Sequence, residues 1–201
     1  MYIICSDLEG IYTPEIWINV SKQTGIEGLM LTTRDINDYN VLMKGRLALL
    51  KQHNLKLSDI QNVIRQIEPL PGARDFLDWL RSEFQLIIVS DTFSEFADPL
   101  MEKLGRPTLL CHNLITDSEG TIVDYNLRQP DAKRKVVESL QSLNYKVIAI
   151  GDSYNDISML RKADKAILFR PPKNVSDENP DLPVVTNYED LKKSIYIIAE
   201  N

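Results

Sequence analysis

The sequence has few of the side chains that proteins use to bind transition metals. Its 201 residues include two histidines and two cysteines. Neither His53 nor His112 has a cysteine or a second histidine at the spacing of a zinc site. Cys5 and Cys111 each lie in an apolar stretch, so we expect two buried thiols in a reducing compartment rather than a disulfide. We therefore expect carboxylates, not imidazole, to carry acid–base chemistry.

Long apolar runs and blocks of like charge are also missing. The formal net charge is −6, and the 23 lysines and arginines are interspersed among 29 acids, which gives no surface suited to nucleic acid or an anionic membrane. No segment approaches the roughly 18 apolar residues that span a bilayer. The first apolar run ends at Asp7 and lacks the positive segment of a secretory signal. We expect a cytoplasmic protein with a small-molecule substrate.

What the sequence does contain is a repeated pattern of short apolar runs that end in an acid. Three runs share this pattern: residues 2–5 before Asp7, residues 86–89 before Ser90 and Asp91, and residues 147–150 before Asp152. Continuous β-branched runs predict parallel strands covered on both faces, and residues 166–169 predict one more. The fold class is therefore α/β, with a Rossmann-like parallel sheet.

Helical patterns connect these strands. Two segments predict helices that cover the sheet, with apolar faces formed by Phe76, Leu77 and Leu80 and by Val136, Val137, Leu140 and Leu143. Residues 170–183 are rich in proline and predict a loop.

About seventy residues separate the first two strands, more than one crossover helix requires. We predict a helical cap inserted there, with Thr13 capping its first helix, Gly25 ending that helix, and Ser58 opening a later one. The predicted domains are an α/β core of residues 1–12 and 71–201 and a cap of residues 13–70.

The polar residues at the strand ends predict one site. In an open parallel sheet, ligands bind beyond the carboxyl ends of the strands, where the chain places Asp7, Glu9, Ser90, Asp91 and Asp152. Carboxylates gathered at one edge repel each other unless a cation is present, and a set of oxygen ligands suits Mg²⁺. A single acid at a strand end is more often a turn residue, but the repeated pattern favours a site.

Asp7 and Glu9 have the chemistry of phosphoryl transfer. A carboxylate can attack phosphorus to give an aspartyl phosphate, which is the role we predict for Asp7. Glu9 could then protonate the leaving alkoxide and deprotonate the incoming water or hydroxyl, although an isolated loop acid is usually only solvated.

Three cations occupy an unfavourable position in the first turn of the helix predicted after Asp131. Lys133, Arg134 and Lys135 oppose the helix dipole there, by about 0.3–1 kcal/mol each. An anionic ligand would resolve this conflict. Lys133 falls on the apolar, sheet-facing side of the helix, so we predict that it neutralises a phosphate and that the other two are solvated.

The segment 151–156 predicts the metal site. Asp152 and Asp156 follow the third strand four residues apart, which suits one direct ligand, Asp152, and one supporting residue, Asp156. Ser90 could donate its hydroxyl to a phosphate oxygen, or it could be an ordinary cap.

The order of these motifs resembles the haloacid dehalogenase superfamily, whose four motif positions match Asp7, Ser90, Lys133, and Asp152 with Asp156. Five stretches resemble more narrowly the bifunctional phosphoserine phosphatase/homoserine phosphotransferase branch: Asp7-Leu-Glu-Gly10, Pro14-Glu-Ile-Trp17, Ser90-Asp-Thr-Phe93, Leu109-Leu-Cys-His112 and Gly151-Asp-Ser-Tyr-Asn-Asp156. Two residues depart from the pattern of the superfamily but agree with that of the narrower branch. Glu9 stands where most of the superfamily has Asp, and Ile11 stands where Thr is usual.

This resemblance implies a Mg²⁺-dependent enzyme that takes a phosphoryl group from phosphoserine and gives it to water or homoserine. It implies Asp7 as nucleophile, Glu9 as acid/base whose backbone carbonyl also binds the metal, and Asp152 as the other ligand. Glu15 would hold the substrate ammonium and Arg46 its carboxylate. The remaining residues around the phosphate and substrate would be Ser90, Asp91, Lys133 and Asn155.

Other functions stay open at this point. From the residues alone, Glu15 and Arg46 are compatible with plain helix positions. The site would also suit a phosphatase of another small phosphomonoester. A non-catalytic module that holds an aspartyl phosphate as a signal is a further alternative, but a receiver domain needs no cap between its first two strands.

Overall fold

The computed structural model describes residues 1–32, 35–36 and 38–200. Residues 33, 34 and 37, which belong to the predicted cap interval, lie outside the described part. Within that part the strands form one seven-stranded sheet in the order β4-β3-β2-β1-β5-β6-β7. The strands are β1 Tyr2–Ser6, β2 Gln85–Phe93, β3 Leu109–Thr116, β4 Ile122–Asn126, β5 Lys146–Gly151, β6 Lys165–Phe169 and β7 Val184–Val185.

All neighbouring strands are parallel except β3 and β4, which form an antiparallel hairpin. β1 lies at the centre, paired with β2 on one side and β5 on the other. The carboxyl ends of β1, β2 and β5 are therefore adjacent, which brings together the acids that follow these strands. The predicted α/β parallel sheet, including the strand at 166–169, is confirmed.

The α-helices in the described ranges are α1 Ile16–Thr24, α2 Tyr39–Gln52, α3 Leu57–Ile64, α4 Ala73–Glu83, α5 Ser94–Lys103, α6 Ala132–Ser142, α7 Ile157–Lys162, α8 Lys173–Glu178 and α9 Tyr188–Glu200. Short 3₁₀ helices cover Glu27–Met30 and Tyr154–Asp156. The predicted loop at 170–183 is thus partly wrong, because α8 forms directly after Pro172.

Helices cover both faces of the sheet, because successive residues of a strand point to opposite sides. Ile4 packs with the apolar faces of α4 and α9, whereas Ile3 and Cys5 pack with those of α6 and α7. Leu143 does not join its predicted face; it follows the last residue of α6 and is 67% exposed. Cys111 is half-buried rather than buried, and both cysteines are free thiols.

Four α-helices lie between β1 and β2, and the first three, α1 to α3, fall within the predicted cap interval. Gly25 ends α1 in the left-handed conformation, at φ 72°, as predicted. The predicted cap at Thr13 is wrong: α1 begins at Ile16, because Thr13 stays in the turn after β1, where its carbonyl accepts from the Gly10 N–H at 2.8 Å.

The predicted start of α3 at Ser58 is also wrong. The helix begins at Leu57, and the Asp59 carboxylate accepts from the Lys56 N–H at 2.8 Å. This bond satisfies the otherwise unpaired Lys56 N–H, two residues earlier than the cap that the sequence pattern indicated. None of the described helices has the length and apolar character needed to cross a bilayer.

Candidate active site

Asp7 lies one residue beyond β1, at the carboxyl edge of the sheet. Its N–H donates to the Ile150 carbonyl of β5 at 2.9 Å, and its Oδ1 accepts from the Leu8 N–H at 2.8 Å. The side chain is buried, with 4% exposure. The backbone therefore fixes the orientation of this carboxylate, and burial shields it from water.

Lys133 is the cation of this buried cluster. Its Nζ lies 3.0 Å from Asp7 Oδ1, 2.7 Å from Asp156 Oδ1 and 3.6 Å from Asp91 Oδ2. Lys133 is 3% exposed, while Arg134 and Lys135 of the same helical turn point to solvent. Burial alone would lower the pKa of Lys133, but the three carboxylates hold it well above its ordinary value. The lysine is therefore charged.

Asp7, Asp152 and Asp156 form the acidic cluster, in which one carboxylate oxygen of each lies within 4.8 Å of the others. Both oxygens of Asp156 are engaged: Oδ1 contacts Lys133, and Oδ2 accepts from the N–H groups of Asp152 and Ser153 at 2.9 and 3.1 Å. Asp156 thus orients the turn that presents Asp152. A set of carboxylate oxygens around one point fits a hard divalent cation such as Mg²⁺.

Crowding of these acids has an electrostatic cost. Burial and the charge of Asp156 raise the pKa of Asp7 well above its ordinary value, against the opposing effect of Lys133. One lysine does not neutralise the cluster, so a bound cation would favour the ionised form of Asp7.

Glu9 lies between the sheet and α1. Its Oε1 accepts from the Ile16 N–H, the first of α1, at 2.6 Å. Burial and the nearby charge of Glu15 raise the pKa of Glu9 to about 8. At neutral pH the carboxyl therefore holds a proton that it can give to a leaving group.

Glu15, just before α1, and Arg46, in α2, face the same cavity. The cavity has a volume of about 140 Å³ and is also lined by Asp7, Glu9 and Asp152. The Arg46 guanidinium lies 4.5 Å above the centre of the Trp17 ring and donates to the Leu31 carbonyl at 2.6 Å. Its Nε is buried without a hydrogen-bond partner among the described residues.

Ser90, Asp91 and Asn155 complete the set of predicted residues. The Ser90 hydroxyl is buried and accepts from the Thr92 N–H at 3.2 Å. Asn155 Nδ2 donates to Asp91 Oδ2 at 3.0 Å. Burial alone would raise the pKa of Asp91, but Lys133, His112 and Asn155 together hold it below its usual range. The structure thus brings all of the predicted site residues to one edge of the sheet.

Sequence reasoning assigned no role to two other residues here. Tyr39 donates its hydroxyl to the Asp91 carbonyl at 3.3 Å, and His112 Nε2 faces Asp91 Oδ1 at 3.7 Å. Both line a second cavity of about 490 Å³ beside Asp91 and Lys133. The sequence pointed to His112 only through the stretch Leu109-Leu-Cys-His112, which resembles the family. That resemblance does not indicate which residue the histidine contacts.

Comparisons with known proteins agree with this geometry. Residues 11–164 match the family model of the haloacid dehalogenase-like hydrolases. The chain is 56% identical over 199 residues to a phosphoserine phosphatase of Pseudomonas syringae pv. tomato, covering 99% of this chain and 84% of that protein. It is also 56% identical to phosphoserine phosphatase ThrH of Pseudomonas aeruginosa, covering 96% and 94%.

Solved structures support the fold. A phospho-aspartyl intermediate analogue of phosphoserine phosphatase and a substrate-bound phosphoserine phosphatase complex both align with a TM-score of 0.76, at 22% and 21% identity, over 96% of this chain and 97% of each of those chains. With the matched family model, the near full-length relatives and the resemblance of the motifs, the chain belongs to the haloacid dehalogenase-like hydrolases.

Proposed function

We propose that the protein is a Mg²⁺-dependent phosphoserine phosphatase that forms an aspartyl phosphate on Asp7 and can also transfer the phosphoryl group to homoserine. The observation that carries the proposal is the juxtaposition of Asp7 and Lys133 at 3.0 Å, beside a cavity that Glu9, Glu15 and Arg46 also line. The two 56% identical relatives, which are named phosphoserine phosphatases, support the same substrate.

In the first step, the ionised Asp7 carboxylate attacks phosphorus and the ester P–O bond breaks. Glu9 gives its proton to the departing serine oxygen. In the second step, Glu9 takes a proton from water or a hydroxyl, whose oxygen attacks phosphorus, and the Asp7 carboxylate leaves. Lys133 offsets the negative charge that gathers on Asp7 and the phosphoryl oxygens throughout.

Asp7, Asp152 and the backbone carbonyl of Glu9 would hold Mg²⁺, with Asp156 orienting Asp152. When bound, the cation supplies positive charge that lowers the pKa of Asp7 and offsets the phosphate charge. Ser90 would donate its hydroxyl to a phosphoryl oxygen, and Asp91 and Asn155 would border the phosphate and the substrate.

The amino-acid end of the substrate would lie between Arg46 and Glu15. The buried Nε of Arg46 suits a bidentate pair with the substrate carboxylate, since an unpaired buried donor is costly. Glu15 would accept from the ammonium. These contacts select a phosphorylated amino acid over phosphomonoesters that lack an amino-acid end. Homoserine would enter the same place after serine leaves.

The same assignment gives the proposed domain division, with the cap at residues 13–70 and the core at residues 1–12 and 71–201. The cap interval supplies Glu15 and Arg46, and the core supplies Asp7, Lys133 and Asp152. Chemistry and substrate selection would thus reside in different parts of the chain.

One assay tests the proposal. The protein is incubated with L-phosphoserine and Mg²⁺, with and without homoserine, and phosphate and phosphohomoserine are quantified. We expect phosphate in both reactions and phosphohomoserine only in the second. Asp7→Asn should abolish both products, and Arg46→Ala should raise KM for phosphoserine far more than for an ester without an amino-acid end. Full activity in Asp7→Asn would overturn the mechanism.

A further inference from the structure

His112 is a buried polar residue to which the proposed chemistry gives no role. It lies in β3, with its Cα paired to that of Phe93 in β2, and is 4% exposed. The pairing of β2 and β3 shifts register between Val89 and Phe93. Asp91 lies within this interval, and its carboxylate faces the imidazole.

The two ring nitrogens of His112 have different surroundings. Nδ1 accepts from the Arg128 N–H at 3.1 Å, which requires a lone pair on Nδ1 and leaves the ring proton on Nε2. Nε2 faces Asp91 Oδ1 at 3.7 Å. Hydrogen bonds of active sites are often long before the ligand binds and shorten in the complex.

Asp91 also contacts Asn155 and Lys133, which lie near Asp7. Its other oxygen accepts from Asn155 Nδ2 at 3.0 Å and lies 3.6 Å from Lys133 Nζ. Lys133 in turn lies 3.0 Å from Asp7. The Asp91 side chain also borders the large cavity of about 490 Å³, so it has room to rotate away from Lys133 if it is not held.

We propose that His112 is a positioning residue for phosphoryl transfer: through its Nε2–H it holds the Asp91 carboxylate in the orientation that fixes Lys133 and Asn155 beside Asp7. The inference rests on the proposed function, and it makes His112 act through Asp91 and not on the substrate. Removing the imidazole should therefore cost nothing further once the Asp91 carboxylate is gone.

A double-mutant cycle tests this role. His112→Asn keeps an acceptor near the Nδ1 position but does not reach Asp91, whereas His112→Gln places an amide nitrogen near the Nε2 position. We expect His112→Asn and Asp91→Ala each to lower kcat for phosphoserine by about 10-fold or more, and the double variant to lose no more than Asp91→Ala alone. His112→Gln should recover most of the loss.

His53→Gln, at the only other histidine and exposed beyond the end of α2, is the matched control and should leave kcat unchanged. Circular dichroism establishes that each variant folds. Additive losses in the double variant, or equal losses in His112→Gln and His112→Asn, would overturn the inference.

Nitrogen-15 NMR of the histidine side chains separates this inference from the proposed function. The wild-type protein should show His112 as the Nε2–H tautomer, and Asp91→Ala should shift its Nε2 resonance but not those of His53. Absence of phosphoserine turnover in the wild type would refute the proposed function alone. An Nε2 resonance that Asp91→Ala leaves unchanged would refute the contact.

Discussion

At the scale of single residues, Lys133 links the buried acids of the site. Replacing it with Met leaves Asp7 and Asp156 facing each other without their cation. Loss of one partner of a buried ion pair typically costs about 3–5 kcal/mol, so we expect Lys133→Met to lower the free energy of unfolding by about that amount and to abolish phosphate release. Denaturant unfolding in EDTA and a phosphate assay measure the two effects.

Lys135→Met is the matched control for this prediction, because Lys135 belongs to the same helical turn but is 53% exposed and pairs with Glu138 at the surface. Exposed pairs contribute about 0–1 kcal/mol, so stability and turnover should stay near wild type. If both variants unfolded at the same denaturant concentration, the buried cluster would not depend on Lys133.

Gly10, in the loop after Asp7, packs against Asp152, the proposed metal ligand. Its φ is +75°, and a Cβ there would lie 2.4 Å from the Asp152 carboxylate. We expect Gly10→Ala to displace Asp152 and to raise the Mg²⁺ concentration needed for half-maximal activity. Gly25→Ala is the control: its φ is +72°, but a Cβ would have nothing within 4 Å.

Both glycine variants should lose about 1–2 kcal/mol of stability from the left-handed conformation, while only Gly10→Ala changes the dependence on Mg²⁺. Thermal unfolding measures the backbone strain that both variants share. A magnesium titration of phosphate release detects the clash with Asp152, which only Gly10→Ala has. Equal magnesium requirements for the two variants would contradict the predicted clash with Asp152.

At the scale of elements, α2 carries Arg46 to the cavity with a glycine in its middle. Gly45 is exposed, has ordinary helical φ, and a Cβ there would have nothing within 4 Å. We expect Gly45→Ala to stabilise the protein by about 0.5–1 kcal/mol, since alanine loses less backbone entropy on folding, and to leave KM for phosphoserine unchanged. Urea unfolding and steady-state kinetics test this. A loss of stability would mean that α2 needs flexibility at this point.

Strands and helix boundaries differ in how well the sequence predicts them. Buried parallel strands are continuous apolar runs, so β1, β2, β5 and β6 were predictable, as were the acids that follow them. Helix starts depend on single hydrogen bonds: Asp59 rather than Ser58 secures α3, and Thr13 stays in a turn. The contact between His112 and Asp91 was not predictable, because it joins two strands and Asp91 lies where their pairing shifts register, which the sequence pattern does not indicate.

At the scale of the whole molecule, an acidic protein with net charge −6 concentrates buried carboxylates at one edge of its sheet. Burial and Glu15 raise the pKa of Glu9 from 4.5 to about 8, and the pKa of Asp7 is raised in the same direction. Between pH 4.5 and about pH 8 the native state therefore binds more protons than the unfolded state. The free energy of unfolding falls as pH rises through this range. The lowered pKa of Asp91 acts only below its ordinary 3.8 and lies outside this window.

We accordingly expect the thermal midpoint of the chelated protein to fall steadily from about pH 5 to about pH 8. Mg²⁺ should reduce this fall, because the cation favours the ionised carboxylates and binds more tightly as they lose their protons. Asp7→Asn combined with Glu9→Gln removes both titrating groups, so its chelated profile should be flatter than that of the wild type. Scanning calorimetry across this pH range, with EDTA and with Mg²⁺, measures all three profiles. A wild-type thermal midpoint that does not change with pH in EDTA would mean that folding does not raise the pKa of Asp7 and Glu9.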